Sequence, residues 1–476
     1  MTFDLPALAR RMIAIDTSSV RSNLELLELL MPLCRRAGLQ TSLQEEACDG
    51  VRQFNLLASR LPVDRETLLL VTHSDTVPPG DHVRWSATHG DPFALTEKDG
   101  VLYGLGVADV KLDLLCKLAA LDSLRDVALR DNVALAATYG EETGRYGAKL
   151  LVREFQAQPG GAIPRRVLVG EPTRLRPGTA HKGYVEIHAM AYDPSPIPVP
   201  AMPLWRLTFA GVGAHSSQPH RGASANCACL DWLAAMDPTE HGGAVVSVEG
   251  GDVANRVATC CEAVVAAAEP PLPEELIRAE AAVAGISCSV ARVDQAPSDV
   301  WSPSLTRQLL TVHAFTREVE GNLRAHKAPG FDPPYSTVNN GLVRMLPQRL
   351  THIVDIRRVP GEEPRLLLDA HVAALRAAGL QTDTLLESGP FKAAEGSQTL
   401  AALEAELGAR GLPIEPELKS GTTEAPVYQQ AGMDTVVFGP GQAAGNIHRP
   451  NEHVPLADLY QCVEIYRGLI LRLCGS

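Results

Sequence analysis

The sequence predicts an α/β fold, a mostly parallel sheet with helices on both faces, interrupted by a smaller α+β unit. Three observations carry this. Apolar runs alternate with helical patterns in the N-terminal part, as parallel strands joined by crossover helices require. The same alternation returns near the C-terminus. Between the two lies a stretch with a more antiparallel texture, broken by prolines.

The elements follow in order. "LELLELLMPLCRRAGL" spaces its leucines for a helix that stops at Gly38. "ETLLLVTHSD" is a continuous apolar run closing on polar residues, the pattern of a strand buried on both faces. "DVKLDLLCKLAALDSL" reads as a helix, "NVALAATYGEE" as another buried strand, and "RRVLVGEPT" as a third ending on an acid. After "HKGYVEIHAMAYD" comes "PSPIPVPAMP", where Pro194, Pro196, Pro198, Pro200 and Pro203 exclude a central strand. "LWRLTFAGVGAHS" and "GGAVVSVEGGDVANRVATCCEAVVAAA" then read as strands of a separate unit. "PSLTRQLLTVHAFTREV" is a helical patch, and "STVNNGLVRMLPQRLTHIVDIRRVPG" resumes strand character. Helix and strand alternate again from "EEPRLLLDAHVAALRAAGL" to the helix "LADLYQCVEIYRGLILRL". Residues 1–183 and 359–476 thus read as the two parts of one domain, with 184–358 inserted between them.

The 476 residues carry a net charge of -13, which argues against a basic nucleic-acid face. The composition, 45% hydrophobic and 21% charged, is that of a globular protein able to bury large cores. No stretch approaches the roughly 18–20 apolar residues of a membrane span, and the N-terminus lacks the pattern of a secretory leader. Ten cysteines are scattered without zinc-knuckle spacing and read as mostly buried thiols, so a cytoplasmic protein is expected.

The chemistry-bearing residues fall at strand ends, the edge at which open α/β sheets bind ligands. His73 with Asp75, Asp109, the pair Glu141–Glu142, and Glu171 all lie at or just beyond such ends. Each has a bland reading of its own. His73 could be a satisfied core histidine, Asp109 a helix cap, Glu171 a turn residue, and Glu141–Glu142 a solvated turn. Taken together with His448, they offer a mixture of imidazole and carboxylate that suits zinc or cobalt rather than calcium. Five such groups with one shared carboxylate hold two ions and leave positions open for water. A neighbouring carboxylate can then take that water's proton.

Nine segments strengthen this: "THSDTVPPGD", "DPFALTEKDGVLYGLGVADVK", "YGEETG", "VGEPTRLRPGTAHKG", "GAHSSQPHRGASA", "GGDVANRVATCCE", "DIRRVPG", "GTTEAPV" and "GPGQAAGNIHRPNEHV". In content and order they resemble the dinuclear zinc amidohydrolases and metallopeptidases that include acetylornithine deacetylase, succinyl-diaminopimelate desuccinylase, aminoacylase and glutamate carboxypeptidase. The "GEPT…AHKG", "GGDVANR" and "TEAP" segments look most like the acetylornithine deacetylase branch.

The resemblance implies a zinc-exopeptidase-like catalytic domain and an inserted lid and dimerisation domain. It implies two divalent ions, zinc or cobalt: His73 and Glu171 on one, Glu142 and His448 on the other, Asp109 bridging. Glu141 would be the general base, and Asp75 would orient His73. His215 would steady the oxyanion across a homodimer, while Asn255 and Arg357 would hold the substrate's α-carboxylate. The implied reaction is hydrolysis of an N-acyl amino acid, N-acetylornithine first. The alternatives are a desuccinylase, an acetylcitrulline deacetylase, an aminoacylase, a dipeptidase or a non-catalytic binding member. Three departures stand out: Gly140 before the glutamate pair, Leu112–Asp113 after Lys111, and an extra segment near 262–336 with the proline stretch before it.

Overall fold

In the computed structural model, strand Leu68–His73 lies between Val133–Thr138 and Arg166–Gly170 and runs parallel to both. Asp434–Phe438 continues the parallel order beyond Arg166–Gly170. Successive strand side chains point to opposite faces, so a continuous apolar run needs cover on both. That is what these strands have. Leu68 and Leu70 join a core with Leu112, Leu115 and Ile465, whereas Leu69 and Val71 join one with Leu151, Phe155 and Tyr428. At the edge, Val51–Ser59 pairs antiparallel with Val133–Thr138 on one side and with Gln40–Cys48 on the other, so the sheet is mixed around a parallel centre.

The structure describes residues 3–158, 163–236, 239, 242–271, 285–295, 297–361 and 363–475. They divide into two compact units: Met1–Ala180 with Phe391–Leu418 and Thr423–Ser476, and His181–Pro390 with Lys419–Thr422. In the first, the chain leaves Leu68–His73, returns through helix Lys111–Ser123 to Val133–Thr138, and crosses by helix Tyr146–Ala157 to Arg166–Gly170. The strand order therefore reverses around Leu68–His73. Loops from its two neighbours part there, which opens a crevice at the strands' C-terminal ends.

Helix Lys111–Ser123 is buried from Lys111 to Asp122, polar residues included. Asp113 and Lys117, one turn apart, pair at 2.8 Å with no side-chain exposure. Lys117 Nζ also donates to the Val71 carbonyl (2.6 Å) and Thr72 Oγ1 (2.8 Å), and Thr72 Oγ1 donates to Asp113 Oδ2 (2.7 Å). Tyr466 donates its hydroxyl to Asp113 from the C-terminal helix Leu456–Cys474. A Cβ at Gly170 would come within 1.9 Å of Asp113 Oδ2, so the adjoining strand can end only on glycine.

The second unit is an antiparallel sheet in the order Ser287–Val293, Leu204–Ala210, Cys260–Ala266, Ala244–Gly250, Thr337–Leu346, Arg349–Arg358, Gly183–Tyr192, Gln381–Ser388. Helices Ala225–Met236, Pro303–Ala325 and Glu363–Ala377 feed Leu230, Leu309 and Leu375 into its core. The unit runs to Pro390 rather than turning back at 359, because Gln381–Ser388 pairs with Gly183–Tyr192. Within the proline stretch, Ile197–Pro198 makes only a two-residue ladder with Val300–Trp301. Of the extra segment near 262–336, residues 272–284 and 296 lie outside the described residues. Among the described residues no helix is long and apolar enough to cross a membrane.

Two predictions follow from these cores. Removing one charge of a buried pair strands the other, so Asp113→Asn should lower unfolding free energy in urea by about 3–5 kcal/mol. Replacing both partners, with Asp113→Leu and Lys117→Met, should cost less than that single change. In the second unit, burial together with His313 and His371 pushes His352 down to about 3, and burial pushes His371 down to about 4. Both imidazoles are held neutral when folded, whereas the unfolded chain takes up protons near the ordinary value of about 6.5. Melting temperature should therefore fall as pH drops from 6.5 towards 4, and His371→Leu should flatten that slope.

Candidate metal centre and catalytic site

His73 closes its strand, and its Nδ1 lies 3.0 Å from the backbone carbonyl of Asp75. A carbonyl only accepts, so Nδ1 carries the proton and Nε2 is the nitrogen turned to Asp109, 3.3 Å from Oδ1. Asp109 Oδ2 in turn lies 3.2 Å from His448 Nε2, which is 3.2 Å from Glu142 Oε2. One carboxylate thus faces two imidazoles, one with each oxygen. Ligand atoms of His73, Asp109 and Glu142 fall within 4.8 Å of one another. Glu171, 4% exposed, stands at the end of the next parallel strand and is not among those three. His448 holds a left-handed backbone conformation (φ 58°), an uncommon one for a residue with a side chain.

The Asp109 reading as a helix cap is not what the structure shows, since Val110 is the N-cap residue of helix Lys111–Ser123 and no side chain caps it. The Asp109 backbone is held instead by Glu452, whose Oε1 accepts the N–H groups of Ala108 (2.8 Å) and Asp109 (3.0 Å). Glu452 lies in the segment that carries His448. It therefore ties the loops of these two residues together.

Asp75 meets His73 through two of its groups. Its carbonyl makes the closer contact to the ring, with the carboxylate at 3.5 Å. The carboxylate accepts the backbone N–H groups of Glu141 (3.2 Å, Oδ1) and Glu142 (3.3 Å, Oδ2) and the hydroxyl of Ser19 (3.0 Å). Asp75 therefore fixes the histidine and both glutamates at once.

Glu141 is 8% exposed, so the pair is no solvated turn. Its Oε1 has no hydrogen-bond partner among the described residues and sits 3.7 Å from Arg145 Nε. Burial holds its carboxyl well above the usual range, outweighing Arg145 and His73, while Glu171 and Glu142 add to the rise. Burial likewise lifts Glu424 to about 7; it accepts from Thr138 Oγ1 (2.9 Å) beneath the strand ends.

The imidazoles move the other way. For His73, burial opposes protonation, but Asp109 and Asp75 win and raise it well above its ordinary value. Burial also opposes protonation of His448, and Glu142 and Asp109 raise it to about 11. The site therefore draws positive charge at both Nε2 atoms. Imidazole and carboxylate donors with an unpartnered Glu142 Oε1 fit a divalent transition metal.

His215, Asn255 and Arg357 belong to the second unit, which brings their loops together. Ser216 N donates to the Asn255 carbonyl, and Val257 N to the Ala214 carbonyl. His215 Nδ1 accepts the Ser217 N–H at 3.1 Å, which places the ring proton on Nε2. Asn255 is exposed. Arg357 gives Nε and Nη2 to buried Asp355 (3.0 and 3.1 Å) and stacks on Tyr184, 4.0 Å from its centroid. Asp355 also accepts from Ser216 Oγ (2.7 Å), next to His215.

Sequence reasoning gave no structural role to Glu452, Glu424 or the Asp113–Lys117 pair. Only the last left a signal, an i,i+4 acid–base spacing in an otherwise apolar helix.

Comparison with known proteins agrees with this geometry. Residues 69–472 match peptidase family M20/M25/M40. The acetylornithine deacetylase of Myxococcus xanthus is 27% identical over 491 residues, covering 100% of both chains. That of Pasteurella multocida is 34% identical over 271 residues, 53% of this chain and 62% of that protein. Among solved structures, aminoacylhistidine dipeptidase from Vibrio alginolyticus has a TM-score of 0.72 at 16% identity, covering 98% of this chain and 96% of that one. The M20 family metallo-carboxypeptidase Sso-CP2 from Sulfolobus solfataricus has 0.59 at 17%, covering 98% of each. The chain belongs to peptidase family M20/M25/M40 and is a metal-dependent hydrolase of amide bonds.

Proposed function

We propose that the protein hydrolyses the N-acyl bond of an N-acyl amino acid, N-acetylornithine first, releasing ornithine and acetate as a step of arginine biosynthesis. The observation that carries the catalytic reading is Asp109, whose two carboxylate oxygens face the Nε2 atoms of His73 and His448. The deacetylase relatives support the choice of substrate. On this reading His73 and Glu171 hold one ion and Glu142 and His448 the other, zinc or cobalt, with Asp109 shared. The protein acts in the cytoplasm as a homodimer joined through the second unit.

When bound, the ions supply a water of lowered pKa and positive charge for the carbonyl oxygen. The chain's own groups do the rest. Glu141, whose backbone N–H is held by Asp75, would take a proton from the attacking water and return it to the departing amine. Its burial raises its proton affinity, which suits a carboxylate that must first draw a proton and then hand it on. His215 offers its Nε2 proton to the developing oxyanion. Asn255, together with the Nη1 edge of Arg357, holds the substrate carboxylate. Asp355 keeps that guanidinium in one plane.

The test is hydrolysis of N-acetylornithine, N-succinyl-diaminopimelate, N-acetylcitrulline and simple dipeptides by the metal-loaded protein. Preference for N-acetylornithine is expected; preference for another substrate would overturn that assignment. Glu141→Gln should lower kcat by about 10²–10⁴ while metal content by atomic emission stays unchanged. Asp75→Asn should weaken metal retention by about 10- to 100-fold in a metal-buffer titration, since it loosens His73 and the glutamate loop together.

A further inference from the structure

Ser216 follows His215 on its loop in the second unit and is fully buried. No role assigned so far uses its hydroxyl, yet every polar group of the residue is engaged. Its N–H donates to the Asn255 carbonyl at 3.0 Å, and its carbonyl accepts from Thr337 Oγ1 at 3.2 Å. Its Oγ donates to Asp355 Oδ2 at 2.7 Å, and the same oxygen accepts Arg357 Nη2 at 3.1 Å. One residue thus adjoins His215 in the chain, holds the Asn255 loop, and shares an acceptor atom with Arg357.

The strand register explains this convergence. Thr337 lies opposite Arg357, and Asn339 opposite Asp355, in the ladder of Thr337–Leu346 with Arg349–Arg358. Residues opposite one another, and residues two apart on a strand, share a face, so these four polar side chains form one patch. Asn339 Nδ2 donates to the Ala254 and Arg256 carbonyls (2.8 and 2.9 Å), which fixes the Asn255 loop to the patch. Thr337 and Asp355 fix the His215 loop to it through Ser216. The two loops are joined once more by Val257 N, which donates to the Ala214 carbonyl at 2.9 Å. Of these contacts, the one from Ser216 Oγ reaches a charged pair: Asp355 is 1% exposed and holds Arg357 by two hydrogen bonds. Bonds of that kind are shorter and stronger than those between neutral groups, so the hydroxyl is the firmest tie between the His215 loop and the sheet.

We propose that Ser216 is the positioning residue that couples the oxyanion donor His215 to the carboxylate-holding Arg357. The proposal rests on the roles given above to those two residues and adds what keeps them in one arrangement. Such coupling matters to rate, because a misplacement of about 1 Å can cost about 10²-fold.

Ser216→Ala removes the hydroxyl and keeps both backbone contacts. In metal-loaded protein it should lower kcat for N-acetylornithine about tenfold, through His215, and raise KM about fivefold, through Arg357. Repeated in a His215→Ala background, it should leave kcat where His215→Ala alone puts it, while the rise in KM persists. A merely structural role predicts the same kcat factor in both backgrounds. That result, or unchanged kcat and KM for Ser216→Ala, overturns the proposal. Hydrogen exchange followed by mass spectrometry supplies a measurement free of substrate. Peptides containing the Ser216 and Val257 amides, which bridge the two loops, should exchange about tenfold faster in Ser216→Ala, and unchanged exchange overturns the proposal. If N-acetylornithine is not hydrolysed, or if His215→Ala leaves kcat intact, the functional reading above fails, whereas hydrogen exchange still decides whether Ser216 locks the loops.

Discussion

The carboxylate of Asp75 is the constraint on which the site depends. It is 1% exposed and held below the usual carboxylate range, because His73, with help from the Glu141 N–H and Ser19, outweighs its burial. A buried charge without partners would be strongly unfavourable, and this one has four. Each partner is something the site must place: the imidazole, the backbone of both glutamates, and the N-terminal segment at Ser19. Two neighbouring strands end here, and a single side chain sets the spacing between their loops.

Below that layer the fold repeats the device with a pair of charges. Asp113 and Lys117 lie beneath the strand ends and gather the Val71 carbonyl, Thr72 and Tyr466 into one satisfied network. Thr72 precedes His73 in the strand, and Asp113 follows the Asp109 loop by one helical turn. Movement in this network would therefore reach His73 and Asp109 together. Lys111, on the same helix, donates to the Ile15 carbonyl at 2.7 Å, and burial lowers it to about 8. An acid-rich site is thus underlain by two buried amines on one helix.

Much of this was legible in the sequence, for identifiable reasons. "ETLLLVTHSD" and "RRVLVGEPT" announce buried parallel strands because their apolar runs are too short for a buried helix and each closes on a polar stop. The acids at those stops give the site its place, and their family pattern gives its membership. What the sequence hid depends on long-range contact. Glu452 looks like one more acid in a polar loop, and nothing local says that it receives two N–H groups from residues more than 300 positions earlier. Arg357 has in the sequence only the carboxylate-holding role that the family resemblance implies, and nothing local says that Asp355, two residues away on the same strand, receives its Nε and Nη2. The limit of the inserted unit escaped for the same reason, since helix and strand alternate on both sides of residue 359 and only pairing with Gly183–Tyr192 decides.

The adjacent glutamates show how one loop can give two like residues unlike chemistry. Asp75 holds both backbone N–H groups, so neither side chain is needed to fix the loop. Glu142 sends Oε2 to within 3.2 Å of His448 Nε2. Glu141 points where burial dominates, and its nearest cation is compromised: Arg145 Nε donates to the Thr423 carbonyl at 3.1 Å, leaving Glu141 at 3.7 Å. Had Arg145 closed on Glu141 with two hydrogen bonds, the carboxylate would hold its charge firmly and return a proton poorly. The longer contact leaves burial in control, which is the condition that the proton-carrying role proposed for Glu141 needs.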